Sequence, residues 1–199
     1  DKNNILHCLI MRDYCDELGS LKIEFPIEWK EKFSNDTLLL SELLLEDRSE
    51  LRMDYDEYNQ YRYQRLSEYF SGITDDQFDS FIKKCLTLNQ ALSGGERDYW
   101  LKNGIEMSFR ALAEVELNQF PDFVSVYLEY DDILEISPYP VINSLFDVLS
   151  SGEVWNIIQA KDYKRKKLWI SVYFALLPTQ DISEEKAVLL IEHMNNIAS

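Results

Sequence analysis

The densest run of like charge in this acidic chain is basic. Lys161, Lys164, Arg165, Lys166 and Lys167 follow one another closely, beside Tyr163 and Trp169. Cations at that density can grip a phosphate, a nucleic acid or an acidic surface of a neighbouring domain. In the competing account their stems lie along a helix whose other face buries Trp169, and their charged ends pair with nearby acids. The second group is aromatic: Tyr55, Tyr58 and Tyr61, followed by Tyr63 and Tyr69, are interleaved with Asp, Glu, Arg and Gln. Tyrosine presents a large ring at low entropic cost, so such a row suits recognition of a partner. Equally, the rings can pack a helix with their hydroxyls at its rim. Tyr55, Tyr58, Tyr61, Lys164, Arg165, Lys166 and Lys167 are therefore the candidate partner-binding residues.

Reaction chemistry finds less to work with. His7 and His193 are the only histidines, and neither stands in a Ser or Cys context that would activate a nucleophile. Glu192-His193 lacks the second His of a zinc-protease helix. Asp75, Asp76 and Asp79 crowd a helix start, where carboxylates complement the helix dipole, and the glycine and terminal Glu of a calcium loop are missing. No catalytic, cofactor-binding or metal-ligating residue is assigned, and the chain is expected not to be an enzyme. Among 36 acidic residues, carboxylate pairs across a cleft cannot be picked out by spacing, so an enzyme with a dispersed carboxylate site stays as one alternative.

Leu92-Ser93-Gly94-Gly95-Glu96 holds two of the six glycines and separates two strongly patterned halves. The pentad resembles the signature loop of ABC-type ATPases, where a Ser hydroxyl and Gly amides at a helix N-terminus hold a nucleotide phosphate across a dimer. That chemistry also needs a Gly-rich loop ending in Lys-Ser or Lys-Thr and an apolar strand ending in an acidic pair, and this chain has neither. The pentad is read as a turn in which Ser93 or a glycine caps the helix beginning near Glu96. It carries no residue assignment.

With 199 residues, 46% hydrophobic and 13% aromatic, the chain can bury a full core without disulfides or metals. The formal charge of -16 repels nucleic-acid backbones and anionic membranes, so the expected partner is another protein, possibly a basic one. Cys8, Cys15 and Cys85 are odd in number. On a helix, Cys8 and Cys15 stand about 10.5 Å apart, beyond the ~7 Å reach of a disulfide. Reduced thiols and the absence of a secretory pattern point to the cytoplasm. The most apolar run, residues 168–177, is about half the ~20 residues of a membrane span.

The elements that must hold these residues follow from periodicity. Apolar positions recur at helical steps from Ile5 to Tyr14, Leu38 to Leu45, Phe78 to Leu88, Trp100 to Leu117 and Phe123 to Tyr130, with Phe120-Pro121 read as ending the fourth of these. They recur again in 141–149, 162–177 and 187–194. Leu21 to Phe25 alternates as a short extended piece would, with Pro26 placed to start a helix. Thr74-Asp75-Asp76-Gln77 fits a capping box. Gly104 inside a helix costs ~1 kcal/mol relative to Ala, which points to a close crossing or a kink. The Ile-Ser starts at Ser137 and Ser183 lie about 46 residues apart, within the ~40–47 of HEAT or armadillo units.

The expected fold is all-α, with about nine or ten helices. They form helical hairpins stacked as an irregular bundle or a short α-solenoid (HEAT/armadillo-like), with little or no β. Residues 1–91 form an N-terminal helical half and 92–199 a C-terminal half, closely packed as one domain or a continuous array. The expected function is a non-catalytic helical protein-protein interaction module, a scaffold segment of a larger intracellular protein. The alternative from another class is an acidic inhibitor or immunity-type protein that masks a basic site.

Overall fold

A computed structural model of the protein describes residues 4–21, 35–45, 54–92 and 97–198. The regular elements among the described residues are all helical, eleven α-helices and one 3-10 turn. α1 (Ile5–Ser20) starts where the Asn4 side-chain oxygen accepts from the amides of Leu6 and His7, at 3.0 and 3.2 Å. α2 (Asn35–Leu44) buries Leu40, Leu43 and Leu44. α3 (Tyr55–Phe70) opens on a capping box, with the Glu57 amide donating to Asp54 Oδ1 at 2.9 Å. α3 ends before Gly72, whose φ of 70° only glycine adopts cheaply. α4 (Asp75–Leu92) opens on the expected Thr74–Gln77 box: the Thr74 amide donates to Gln77 Oε1 at 2.9 Å and the Gln77 amide to Thr74 Oγ1 at 3.4 Å.

α5 (Arg97–Val115) is the element the others surround. It packs most extensively on α3 and also meets α2 and α4. Its Gly104 lies directly under the end of α2: a Cβ there would stand 2.7 Å from Leu44 Cα and 2.8 Å from Leu44 C. The glycine expected to mark a close crossing marks one.

Five further helices and the turn complete the chain. α6 (Phe120–Tyr127) carries Pro121 in its first turn, so the proline that was expected to end the preceding helix begins this one instead. Its missing N–H is not needed there. α7 (Asp131–Leu134) is a single turn that ends with Glu135 at φ 51°, a left-handed position that costs a non-glycine residue about 1–2 kcal/mol. α8 (Pro138–Phe146) packs on α5. α9 (Ser151–Gln159) was not foreseen, although Ser150 and Glu153 form its capping box. α10 (Lys166–Leu176) is followed by the 3-10 turn (Thr179–Asp181) and α11 (Glu184–Ala198).

A line of buried aromatic rings runs through the core. Phe70 of α3 meets Phe81 of α4 edge-on at 5.1 Å, Phe78 meets Phe109 of α5 at 6.3 Å, Phe109 meets Tyr127 of α6 at 4.9 Å, and Tyr127 lies 6.3 Å from Trp169 of α10. All six are at most 1% exposed. The line crosses the junction between residues 91 and 92. α1 touches α4, α2 touches α5 and α5 touches α8. Helices three apart in the chain thus pack on one another, and the described helices form a packed all-α bundle. Residues 22–34, including most of the expected extended piece, and the pentad positions 93–96 lie outside the described residues.

Candidate functional site

The basic segment leads into α10, and Asp131 at the start of α7 receives it. Asp131 is fully buried. Its Oδ1 accepts from the Tyr127 hydroxyl at 2.8 Å and from Arg165 NH1 at 3.0 Å, and its Oδ2 accepts from Trp169 Nε1 at 2.9 Å. Arg165 also donates from NH2 to the Ile136 carbonyl at 2.9 Å. The neighbouring Asp132 accepts from the backbone amides of Lys164 and Arg165, at 3.0 and 3.2 Å. Burial raises the Asp131 pKa above the ordinary carboxylate range, and the donations from Tyr127, Arg165 and Trp169 oppose that shift. Burial, reinforced by the Asp131 charge, likewise pushes the Tyr127 hydroxyl well above its usual pKa. With both oxygens engaged by side chains of α6, α10 and the residue before α10, Asp131 is an electrostatic anchor.

The remaining basic residues divide by position. Lys166 Nζ donates to the carbonyls of Gln159 and Lys161 at 3.0 and 2.8 Å. A cation placed there is favoured by the negative end of α9. Lys161 pairs with Glu129. Lys164 and Lys167 are exposed.

The tyrosine row also splits. Tyr55 is 47% exposed, Tyr61 is half-buried and stacks 6.4 Å from Tyr58, and Tyr58 is 2% exposed in the core. The guanidinium of the fully buried Arg62 lies 5.7 Å from the Tyr58 ring, and its Nε donates to the Leu43 carbonyl at 2.8 Å. Tyr58 is thus buried beside Arg62, and Tyr55 faces solvent. Beyond the row, Tyr63 bonds Glu114 on α5, and burial pushes its hydroxyl pKa up to about 12.

Other groups with chemical potential have structural partners. Ser171 on α10 donates to the Lys167 carbonyl at 2.9 Å and sits 2.9 Å from Nε2 of His193 on α11. The Ser and His tie two helices together, and burial lowers the His193 pKa below its ordinary value. Cys8 and Cys85 are buried free thiols; burial raises Cys8 to about 11 and Cys85 further. Among the described residues no cluster of three His, Cys, Asp or Glu side chains is placed to hold a metal, and no helix is long and apolar enough to cross a membrane. A cleft of ≈ 420 Å³ is lined by residues of α2, α3 and α4, including Arg65, Glu68, Ser80 and Lys84. Arg65 and Glu68 pair with each other within it.

The outward side of α11 was not singled out from the sequence. Val188, Ile191 and Met194 are 50%, 58% and 60% exposed. Periodicity marks them as an apolar face, but it cannot say whether another helix covers that face. Compared with known proteins, the chain matches no family model, no curated protein and no solved structure.

Proposed function

We propose that this chain is a non-catalytic helical protein-protein interaction module, a scaffolding segment of a larger protein working in the cytoplasm. One observation carries the proposal: α11 turns Val188, Ile191 and Met194 to solvent on one face while polar contacts hold its inner side. Exposed apolar residues scattered singly are ordinary, but a contiguous stripe marks a surface that associates. Buried free thiols at Cys8 and Cys85 agree with a reducing compartment.

Tagged protein used to capture partners from its native cells, followed by reconstitution of each captured pair from pure components, tests the proposal. A stoichiometric pair that survives purification is expected. Turnover of a substrate by the pure chain, with no partner retained, would overturn it.

The second reading is an acidic inhibitor that masks a basic site, favoured by the net charge of -16 and by the internal use of Lys161, Arg165 and Lys166. It requires that the captured partner lose activity in the complex and that binding weaken steeply with salt.

A further inference from the structure

α11 is attached to the bundle in an unusual sense. Its inner side is held by polar groups: Lys186 Nζ donates to Ser151 Oγ at 2.6 Å, and His193 Nε2 meets Ser171 Oγ at 2.9 Å. These two residues are seven apart and so lie on one line of the helix. Leu189 and Leu190 are half-buried beside them. The opposite side carries Ala187, Val188, Ile191 and Met194, all exposed, at the three- and four-residue steps of a single face. A helix that closes a stack toward water has a polar outer side. This one turns three large apolar side chains outward, each half or more in solvent, beside Glu184 and Asn195.

The charges beside the stripe select what can cover it. Glu185 and Glu192, also seven apart, form one exposed flank next to Val188, and Glu184 stands exposed at the N-terminal end of the line through Ile191. The first-turn pair also complements the helix dipole, but Glu192 lies two turns further on and has no such role. A second copy of the chain would bring the same glutamates against these, on a molecule already at -16. A partner with apolar residues at helical spacing and a row of Lys or Arg beside them meets both the stripe and its flank.

We infer that the outer face of α11, built on Val188, Ile191 and Met194 with Glu185 and Glu192 beside it, docks a cationic amphipathic helix of a partner protein. The inference rests on the interaction-module proposal and names its surface and the chemistry of its partner. Apolar contacts seat the partner, and the glutamates fix its orientation and discriminate against acidic helices.

The test uses a fluorescein-labelled helical peptide with Leu along one face and Lys along both flanks, titrated with the full chain and read by anisotropy. Two controls accompany it: the same peptide with Glu in place of Lys, and a Lys/Ser peptide of equal charge with no apolar face. Binding of the Leu/Lys peptide alone is expected. The double variant I191D/M194D should weaken it at least tenfold with the melting temperature unchanged, and E185K/E192K should transfer preference to the Leu/Glu peptide. Equal binding of the Lys/Ser peptide, or full binding by I191D/M194D, overturns the inference, because charge alone would then explain association. Self-association in sedimentation equilibrium that I191D/M194D abolishes overturns it in favour of a second copy. If the peptide fails to bind while the native chain still captures a stoichiometric partner, the surface assignment falls and the module proposal stands. If both fail, both fall.

Discussion

The basic segment around Arg165 and the outer face of α11 assign charge and apolar surface in opposite ways. At the first, a guanidinium and an ammonium group turn inward onto a buried carboxylate and helix-end carbonyls, and a second ammonium group pairs with a glutamate at the surface. At the second, Ile191 and Met194 stay in water while a lysine and a histidine hold the helix from beneath. The two regions are joined through α10, which carries Trp169 on Asp131 and Ser171 on His193. The contrast teaches that the most conspicuous cluster in a sequence need not be the available one. Availability depends on whether the fold supplies partners, and the fold supplies them to the cations and withholds them from the aliphatic residues.

The largest effect that can break this contrast comes from Asp131. D131A leaves Arg165 without its carboxylate and the Tyr127 and Trp169 donors without an acceptor, and breaking a buried pair in this way costs about 3–5 kcal/mol. For a chain of this size that is a fall of roughly 6–20 °C in melting temperature, at ~2–4 °C per kcal/mol. A loss below about 1 kcal/mol in denaturant melts would mean that the inward charges are dispensable, and the contrast would vanish.

A smaller effect belongs to His193. Because its folded pKa lies below the ordinary value, the neutral ring favours the docked helix. That stability is complete above the unfolded pKa of about 6.5 and is lost as pH falls through the folded pKa. Hydrogen-exchange protection factors across α11 should fall on acidification, and H193Q should flatten that fall. The same fall in H193Q would move its cause to the carboxylates.

The smallest effects fall on surfaces. K164A, K167A and the I191D/M194D pair should each change stability by less than about 0.5 kcal/mol, as exposed substitutions do. A thermal melt showing I191D/M194D to be destabilised by about 2 kcal/mol or more would place those residues in a core, and the outer face of α11 would no longer be a surface at all.

How far the sequence reached can be seen residue by residue. Thr74 with Gln77, and Gly104 with its close neighbour, were legible because capping and steric exclusion act within a few atoms of the residue itself. α9 carried an equally local signal in Ser150 and Glu153, obscured by Gly152 beside it. Phe120-Pro121 was legible as a boundary and ambiguous in direction, since proline both ends and begins helices. The Asp131 anchor was not legible: Asp131 and Trp169 are 38 residues apart, and nothing in their spacing announces a hydrogen bond between them. Tyr58 and Tyr55 differ by less than one helical turn, yet one is buried and the other exposed, because the packing of neighbouring helices decides between them. The outer stripe of α11 shows the same limit, as its periodicity was readable and its lack of cover was not.

The central place of α5 sets an order on events. In a chain synthesised from its N-terminal end, α2, α3 and α4 exist before α5, and the faces they will bury on it have nothing to pack against until residue 115 has been made. Through that interval Phe78, whose ring meets Phe109 of α5, and the faces of α2 and α3 that pack on α5 lack their partner, and nascent chains in that state aggregate or engage chaperones. A fragment ending at residue 92 should bind a hydrophobic dye and melt without a cooperative transition, whereas one extended to residue 146, which adds α5 to α8, should regain cooperativity. On that expectation a growing chain becomes able to fold only once α5 and the helices packed on its far side have been made.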